Sequence, residues 1–454
     1  MAARALIAIC AADRAPQFAI AAAVSAPILM PGEQGAGRIM DTAAENNGHL
    51  TGLSPSRLSR IGDHLNRNYI DNGKIAGCQV LVTRHGAVAY RQCFGQMDLE
   101  RARPMAPDAI YRIYSMTKPI TSAALMTLYE KGLFQLDDPV SRFIPEWRDQ
   151  RVWRAGSGEA METEKPKRPP TMRDMLCHTG GLTYGRALVA LGAPDDGHPV
   201  DLEYERHGVQ RQGVDLREFV RRMGRIPLRY QPGQRWMYSL STDVCGALVE
   251  ILSGKPLDEY FQETIFDPLG MKDTAFFVAP EKSDRFAANY QRRADKTLKL
   301  IDDPQNSSFA RKPQFLSGGG GLTGTIDDYW RFCEMLRRGG ALDGARILGP
   351  RTVALMHRNH LPGGKELTEM AIDSFSETST DGVGFGLGFA MVLDSVRAGG
   401  LGQGDYYWGG AASTIFWVDP VEDITVVFMT QLMPSGTFNF RGQLRNIIYS
   451  AIED

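Results

Sequence analysis

Residues 115–133 have the sequence SMTKPITSAALMTLYEKGL, the most apolar helical pattern in the chain. Small and apolar side chains cover most of the circumference, at Ile120, Ala123, Ala124, Leu125, Met126 and Leu128. A helix that is apolar nearly all round is a buried helix. The segment therefore predicts the first long helix of a hydrophobic core, with Ser115 and Lys118 in its first turn.

Strand patterns near both ends of the chain predict a single sheet. The strand-like runs are Cys78–Arg84 and Ala87–Cys93 near the N-terminus, and Leu387–Leu393, Thr414–Val418 and Asp423–Thr430 near the C-terminus. The first two runs are joined at His85-Gly86, which is a hairpin signal. Strands at both chain ends with helices between them favour one antiparallel sheet that is assembled from the two ends.

Helical patterns fill the space between and outside these strands. Ser54-Pro55 is typical of an N-cap followed by proline at the first helical position, and it opens a helix to about Tyr69. Further helices are expected over residues 241–265, 325–340 and about Phe440–Ile452. The expected fold class is α+β, an α/β sandwich with an all-α region inserted.

The domain division follows from this order of elements. Residues 1–52 carry no strong period, so we expect a flexible N-terminal extension. Residues 53–135 and 310–454 are expected to form the sheet domain. Residues 136–309 are expected to form a helical domain with loops that cover the site. A substrate would then bind in the crevice between the two domains.

Composition and charge exclude several classes of partner. Hydrophobic residues make up 43% of the 454 residues, and the formal net charge is −2. Lys and Arg are spread along the chain without a basic stripe, which argues against nucleic acid as the partner. No apolar run reaches the length that spans a bilayer. These features are typical of a globular enzyme that acts on a small molecule.

The cysteines and the N-terminus bear on the compartment. Six cysteines, none in a C-x-x-C pair, lie at positions 10, 78, 93, 177, 245 and 333. Reduced, mostly buried thiols and a cytoplasmic protein are the expectation. The alternative is a periplasmic or secreted protein, if residues 1–26 act as a signal peptide.

The segment whose residues best suit catalysis is Ser115-Met116-Thr117-Lys118. Positions i and i+3 of a helix face the same way, so the hydroxyl and the amine meet. Unpaired N–H groups in the first turn favour a developing negative charge. A buried amine favours its neutral form, which can act as a base. The alternative is that Ser115 is only an N-cap and Lys118 only a surface residue.

Two later segments add candidate site residues. Tyr238, in an aromatic loop that opens a helix, can accept a proton if a lysine lies close by. Residues 408–411, Trp-Gly-Gly-Ala, precede a strand, and glycines there let a ligand approach the backbone, so that the Ala411 N–H can point into the site. The alternatives are an ordinary half-buried tyrosine and a simple turn.

Other residues are weaker candidates. Tyr184 and Tyr230 lie in the middle insertion, about residues 180–235, and either can line a pocket or simply pack. His357 and His360 are three apart on a predicted helix, where a solvated face is the usual explanation, and no third metal ligand is nearby. We therefore expect no metal and no cofactor.

The ordered motifs resemble those of serine β-lactamases and penicillin-recognising enzymes. Ser115-Met116-Thr117-Lys118, Tyr238 and Trp408-Gly409-Gly410 stand in the order of the three motifs of that superfamily. Flanking segments agree, and the similarity covers about residues 55–452. The flanks are LCHTGGL at 176–182, DPLGM at 267–271, GGGGL at 318–322 and FWVDP at 416–420.

Within that superfamily the chain is most similar to the class C-like, or family VIII, carboxylesterases. β-Lactamases have Lys-Thr-Gly as the third motif, whereas this chain has Trp408-Gly409-Gly410 as those esterases do. The second motif has Leu240 where class C β-lactamases have Asn. Both changes remove polar contacts that suit an anionic β-lactam, so the resemblance implies a small, short-chain ester as substrate.

The resemblance also implies a role for each site residue. Ser115 would be the acylated nucleophile, and Lys118 and Tyr238 would share the proton transfer. The N–H groups of Ser115 and Ala411 would form the oxyanion hole. Trp408, with Gly409 and Gly410, would line the substrate site. Neither a metal nor an organic cofactor is required.

Two kinds of alternative stay open at the level of sequence. On the same fold the chain can be a β-lactamase, an amide hydrolase or an acyltransferase. A different class is a non-catalytic, penicillin-binding-like scaffold protein, which would be expected to lose the serine, the lysine or the tyrosine. All three are present here, at Ser115, Lys118 and Tyr238.

Overall fold

The computed structural model describes residues 51–187, 189, 195–209, 213–372 and 380–454. Within these residues the largest sheet has eight strands, and all neighbouring strands in it are antiparallel. The strands are β1 (Gly77–Arg84), β2 (Ala87–Asp98), β3 (Arg103–Pro104), β4 (Val383–Phe385), β5 (Ala390–Val392), β6 (Tyr406–Gly409), β7 (Ile415–Asp419) and β8 (Ile424–Thr430). Their order across the sheet is β4-β5-β6-β7-β8-β1-β2-β3.

The two chain ends meet in the middle of this sheet. β1 and β8 pair in register from Cys78 opposite Thr430 to Arg84 opposite Ile424. Every residue of both strands is buried, as expected of strands that are covered on both faces. The prediction of one antiparallel sheet from both chain ends is confirmed, and so is the β1–β2 hairpin at His85-Gly86.

Helices cover the sheet and fill the long central part of the chain. The helices that are given labels are α1 (Thr117–Glu130), α2 (Met172–Cys177), α3 (Pro199–Arg206), α4 (Leu216–Met223), α5 (Ser241–Ser253), α6 (Ile326–Arg337) and α7 (Phe440–Tyr449). Other helices are Pro55–Leu58, Arg60–Leu65, Leu257–Phe261, Asp267–Leu269, Pro350–Met356, Leu367–Met370 and Ser395–Ala398, with π-helical turns at Asn66–Ile70 and Gln262–Phe266. The mixture is the α+β fold that the sequence predicts.

Two helices pack on opposite faces of the sheet. Successive side chains of a strand point to opposite faces. Phe416 of β7 contacts Tyr329 of α6, with ring centroids 5.1 Å apart. Phe428 of β8 contacts Phe440 of α7 at 4.9 Å. Because Phe428 pairs with Ile415, the neighbour of Phe416, the two contacts lie on different faces.

The helix α1 is the buried centre of the molecule, as its pattern predicts. All residues from Thr117 to Leu128 are buried. The helix begins later than expected, however, at Thr117. Ser115 lies instead in a short 3₁₀ turn, Tyr114–Met116, because the chain bends at Tyr114, where φ is 42°.

Near the C-terminus one predicted strand is shorter than expected and one observed strand was not predicted. The run Leu387–Leu393 is not one strand, because the Gly386 N–H donates to the Phe389 carbonyl at 2.8 Å and closes a turn between β4 and β5. Trp408 and Gly409 do not merely precede a strand, since they end β6, which pairs with β7. Paired backbone hydrogen bonds there outweigh the low strand propensity of glycine.

The central part of the chain is tied to the C-terminal part. A hairpin, Asn289–Arg292 with Leu298–Asp302, pairs in parallel with Leu432–Met433 near the C-terminus.

We retain as a proposal the division into a sheet domain, 53–135 with 310–454, and a helical domain, 136–309. Residues 1–50 of the proposed extension, which spans residues 1–52, lie outside the described residues. No helix among the described residues is long and apolar enough to cross a membrane.

Candidate active site

Ser115 lies on a sharply bent turn at the edge of the core. Tyr114, immediately before it, has a positive φ that bulky side chains rarely adopt. The Ile113 N–H donates to the Leu322 carbonyl at 3.1 Å, which ties this turn to the glycine-rich segment ahead of Leu322. Ser115 is partly exposed, whereas Ile113 and Met116 on either side of the turn are buried. The turn therefore presents the serine hydroxyl outward.

Lys118 is buried in the first turn of α1 and contacts three acceptors. Only 1% of the residue is exposed. Its Nζ donates to Ser115 Oγ at 3.1 Å, to the Tyr184 hydroxyl at 2.8 Å and to the Gly319 carbonyl at 2.6 Å. An ammonium group has three N–H donors, so these contacts use all of them. The structure thus brings the predicted Ser115 and Lys118 within hydrogen-bond distance.

Two tyrosines stand beside this lysine. Lys118 Nζ lies 4.6 Å from the ring centroid of Tyr238, and the ring centroids of Tyr184 and Tyr238 are 5.3 Å apart. Trp408 Nε1 donates to the Tyr238 hydroxyl at 3.4 Å. Tyr184, which the sequence offers only as a lining residue, is therefore the tyrosine whose hydroxyl accepts directly from Lys118.

Backbone pairing between two segments brings these tyrosines together. The Met237 N–H donates to the His178 carbonyl at 2.9 Å, and the Leu240 N–H donates to the Thr183 carbonyl at 3.2 Å. Tyr184 follows one segment and Tyr238 lies within the other. The Thr183 hydroxyl in turn donates to Asp201 of α3 at 2.6 Å. The helical region therefore fixes both phenol rings against α1.

Burial holds two groups of the site, Tyr184 and His178, in their neutral forms. Burial raises the pKa of Tyr184 well above its usual value, and the neighbouring Tyr238 and Asp243 raise it further. Burial, with the Lys118 charge, lowers the pKa of His178 well below its usual value. The ring of His178 lies 5.1 Å from that of Tyr238, and its Nδ1 is 3.1 Å from Ser239 Oγ.

Tyr230 is not part of this cluster. Its hydroxyl accepts from Arg229 Nε at 3.0 Å, and its ring faces His198 at 6.5 Å. Arg229 is paired with Asp201 at 2.9 Å in a buried ionic group under α3. Tyr230 therefore stabilises the helical region, and the suggestion that it lines the pocket finds no support in these contacts.

The end of β6 lies against the turn that carries Ser115. Gly410 closes a tight turn, since its N–H donates to the Thr414 carbonyl at 2.7 Å and its carbonyl accepts from Ser413 at 2.9 Å. A Cβ on Gly410 would stand 2.4 Å from the Ile113 carbonyl oxygen. Only glycine allows this approach, so the segment Trp408–Gly410 is built to lie beside Ser115.

Ala411 presents an unpaired donor near this turn. Its carbonyl accepts from the Ser435 N–H at 2.8 Å, which fixes the orientation of the segment. Among the described residues the Ala411 N–H has no hydrogen-bond acceptor. An unpaired backbone N–H beside a nucleophile is what an oxyanion hole requires. The geometry is compatible with the expected role of Ala411.

Three residues next to the site were not singled out individually from the sequence. Gly319 accepts from Lys118 through its carbonyl, and Asp243 accepts from the Gly319 N–H at 3.0 Å. His178 packs behind Tyr238. Gly319 and His178 lie in the flanking segments that resemble the family, which was a usable signal. Asp243 gave none, because a single aspartate in a helical pattern is unremarkable.

The described side chains provide no ligand set for a metal ion. No group of three or more His, Cys, Asp or Glu side chains in the described ranges is arranged around a common point. His357 and His360 do not share a helix, since the helix Pro350–Met356 ends before them. His357 stacks on Tyr406 and His360 contacts Arg173, so the expected solvated face was wrong. Cys78, Cys93, Cys177, Cys245 and Cys333 are free thiols.

Comparison with known proteins agrees with this geometry. The family model described as beta-lactamase matches residues 63–448, most of the chain. The chain belongs to the beta-lactamase family. The chain is thus a member of the serine beta-lactamase and penicillin-binding superfamily, which is the superfamily that the order of its motifs predicts.

Relatives within the beta-lactamase family include proteins named as esterases. Esterase EstB from Burkholderia gladioli is 32% identical, over 87% of this chain and 96% of that protein. Protein Rv1367c of Mycobacterium tuberculosis is 32% identical, over 81% and 88%. Among solved structures, EstCE1, described as a hydrolase with promiscuous acyltransferase activity, is 29% identical with a TM-score of 0.70 and covers 88% of this chain and 99% of that one. The chain is therefore similar to ester-hydrolysing and acyl-transferring members of the family.

Proposed function

We propose that this chain is a serine carboxylesterase that cleaves small, short-chain esters through an acyl-enzyme on Ser115. The observation that carries the proposal is the contact of Lys118 Nζ with both Ser115 Oγ, at 3.1 Å, and the Tyr184 hydroxyl, at 2.8 Å. Such a nucleophile beside an amine and a phenol can lose its proton as it attacks. The esterase relative EstB supports the same reaction class.

In the first half of the reaction Ser115 Oγ attacks the ester carbonyl carbon. The serine proton passes to the coupled pair of Lys118 and Tyr238, and the negative charge moves to the carbonyl oxygen. The N–H groups of Ser115 and Ala411 stabilise this oxyanion, worth a few kcal/mol in comparable sites. The C–O bond to the alcohol then breaks, and the alcohol leaves with the proton.

In the second half water replaces the alcohol. Lys118 and Tyr238 take a proton from water as it attacks the acyl carbon, and the same oxyanion site holds the second intermediate. The acyl–Ser115 bond breaks, Ser115 regains its proton and the carboxylic acid is released. The chain supplies every group that these steps need, so the proposal includes no cofactor.

Esters suit this site better than anionic β-lactams. Trp408 occupies the place of the cationic residue in the third motif, and it is followed by two glycines. The guanidinium of Arg441 lies close by, but it is buried and donates to the carbonyls of Trp408 and Phe416 at 2.9 and 2.8 Å. This cation is therefore engaged by the backbone and is not presented to a substrate carboxylate.

Acyl transfer to another alcohol is the second candidate. The relatives include an acyltransferase from Penicillium decumbens, calJ, at 30% identity. Hydrolysis and transfer share the acyl-enzyme and differ in whether water or an alcohol attacks it. Measuring alcohol release and acid release in the presence of a primary alcohol separates them. β-Lactam and amide hydrolysis are tested with one cephalosporin and one amino-acid amide.

The decisive experiment tests the nucleophile. Ser115→Ala should abolish hydrolysis of p-nitrophenyl butyrate while the protein keeps its wild-type melting temperature, because the hydroxyl is partly exposed and packs little. A fluorophosphonate probe should add one adduct, which peptide mass spectrometry locates on Ser115. Full activity in the variant would contradict the proposal, and a wild-type protein with no adduct and no turnover would favour a scaffold role. We further propose a cytoplasmic location, because the five cysteines among the described residues are free thiols.

A further inference from the structure

A buried carboxylate is linked to Lys118 through one glycine. The carbonyl of Gly319 accepts from Lys118 Nζ at 2.6 Å, and the N–H of the same glycine donates to Asp243 Oδ1 at 3.0 Å. Asp243 lies in the first turn of α5 and is 1% exposed. The two buried ionisable side chains therefore hold the same residue from its two backbone groups.

Asp243 is itself held in one position. The Ser317 hydroxyl donates to its Oδ1 at 2.6 Å. Burial raises the pKa of Asp243, while the Ser317 hydroxyl, the Lys118 charge and the Gly319 N–H each oppose that rise. A carboxylate that accepts such donors inside a core is a fixed point in the structure. It determines where the Gly319 carbonyl lies.

The segment Ser317–Gly319 has no space to adopt another position. A Cβ on Gly319 would stand 2.5 Å from Asp243 Oδ2, so the carboxylate packs directly on the glycine Cα. Thr121, one turn after Lys118 on α1, donates to the Gly318 carbonyl at 2.7 Å. The segment is therefore clamped between α1 and α5, two helices that it links through Thr121 and Asp243.

The charge of Asp243 acts where few other charges are near. Within the part of the chain that the structure describes, the ionisable groups that face Lys118 are Tyr184, Tyr238, His178 and Asp243. Burial keeps Tyr184 and His178 neutral. Asp243 is thus the carboxylate among these four side chains. The buried thiol of Cys245 is a further ionisable neighbour of Asp243. In an interior of low dielectric such a charge favours the ammonium form of a nearby amine.

We propose that Asp243 is a positioning residue, which holds Lys118 against Ser115 through the Gly319 peptide and supplies a buried counter-charge to the ammonium. The proposal rests on the proposed esterase function, because it concerns the base of that reaction. It assigns the place of the lysine to a carboxylate on another helix.

The pH profile of Asp243→Asn tests this role. The amide keeps an oxygen acceptor but removes the negative charge, so the amine loses its proton more readily. The acid limb of the kcat/KM profile for p-nitrophenyl butyrate should move to lower pH. The plateau of kcat should fall about tenfold, the order expected for a weakened hydrogen bond to a charged group, with little change in KM.

Asp328→Asn is the matched control for this variant. Asp328 is also a buried aspartate in the first turn of a helix, and it also accepts from one backbone N–H and one hydroxyl, those of Asp273 and Thr274. It lies away from Lys118. Its variant should keep the wild-type acid limb, even if its melting temperature falls as much as that of Asp243→Asn.

A second pair of variants serves if Asp243→Asn does not fold. Gly319→Ala forces the carboxylate away, whereas Gly320→Ala meets its nearest atom at an ordinary 3.7 Å. Gly319→Ala should move the acid limb in the same direction and lower kcat, and Gly320→Ala should do neither. An acid limb that stays at the wild-type pH in the folded variant used would overturn the proposal.

The fluorophosphonate adduct separates the two proposals. If wild-type protein gives no adduct on Ser115, the esterase function fails and the role of Asp243 fails with it. If the adduct forms on Ser115 and the acid limb does not move, only the role of Asp243 is lost. A moved limb together with an adduct on Ser115 supports both.

Discussion

The side chain of Lys118 connects Ser115, the proposed nucleophile, to Tyr184 and to the Gly319 carbonyl. Its three contacts go to a hydroxyl, a phenol and a backbone carbonyl, at 3.1, 2.8 and 2.6 Å. The longest contact is the one to Ser115, the group that must move during the reaction. The two shorter contacts hold the amine in place. Tyr184 contacts the amine directly, whereas proton transfer is the role that we propose for Tyr238.

Substitution of each tyrosine by phenylalanine separates these roles. Tyr238→Phe should lower kcat/KM for p-nitrophenyl butyrate by about 10²–10⁴, because it removes a group that transfers a proton. Tyr184→Phe should lower it by about tenfold, because it removes one acceptor of Lys118. Tyr230→Phe is the control, since its hydroxyl bonds Arg229, and it should match wild type. Equal losses for Tyr184 and Tyr238 would contradict this assignment.

At the scale of elements, the site depends on how the end of β6 meets the turn before α1. Arg441 of α7 donates to the Trp408 carbonyl, and Ser435 donates to the Ala411 carbonyl, so both sides of the segment are held. Between them Gly410 lies against the Ile113 carbonyl. The packing of two backbones, without a side chain between them, thus sets the distance from Ala411 to Ser115.

Gly410→Ala should disturb this contact. The added methyl would stand 2.3 Å from Thr414 Oγ1 and 2.4 Å from the Ile113 carbonyl oxygen, so the strand end must shift. We expect a loss of kcat of about 10²-fold, similar to loss of one oxyanion donor, and a lower melting temperature. Gly400→Ala, whose methyl would meet its nearest atom at 3.5 Å, is the control. Wild-type kcat in Gly410→Ala would show that the segment does not set the site.

At the scale of the whole molecule, distant parts of the chain are joined by buried polar contacts. Asp328 of α6 accepts from the Asp273 N–H at 2.7 Å and from the Thr274 hydroxyl at 2.9 Å. It thereby ties the end of the central part of the chain to the C-terminal part. Burial raises the pKa of Asp328 to about 6 from an ordinary value of 3.8. The burial of this carboxyl group therefore makes the stability of the molecule depend on pH.

The sign of this dependence follows from which state binds the proton. Between pH 4 and 6 the unfolded chain has lost the Asp328 proton while the folded chain still holds it, so folding is penalised as pH rises. The contribution of Asp328 to the free energy of unfolding should fall across this window by about 3 kcal/mol and then level off. Urea unfolding at several pH values should show a weaker fall in Asp328→Asn. Asp284→Asn, whose side chain is 94% exposed, should keep the wild-type slope.

The sequence by itself determined the kind of fold and the contact between Ser115 and Lys118. The all-round apolar pattern of residues 115–133 predicted a buried helix. The turn signal at His85-Gly86 predicted the hairpin of β1 and β2. Ser115 and Lys118 are three residues apart, so a local turn is enough to bring them together. The hydrophobic period of a helix and the spacing of two nearby residues are local properties of the chain, so they can be recognised in the sequence.

Tertiary structure decided the contacts between residues far apart in the chain. Tyr184 reached Lys118 because backbone pairing aligned two segments that no period links. Asp243 reached Gly319 because α5 packs on α1. β6 was missed because its pairing with β7 overrides the weak strand propensity of its glycine. These contacts depend on packing across the molecule, and packing leaves no repeating signal in the sequence.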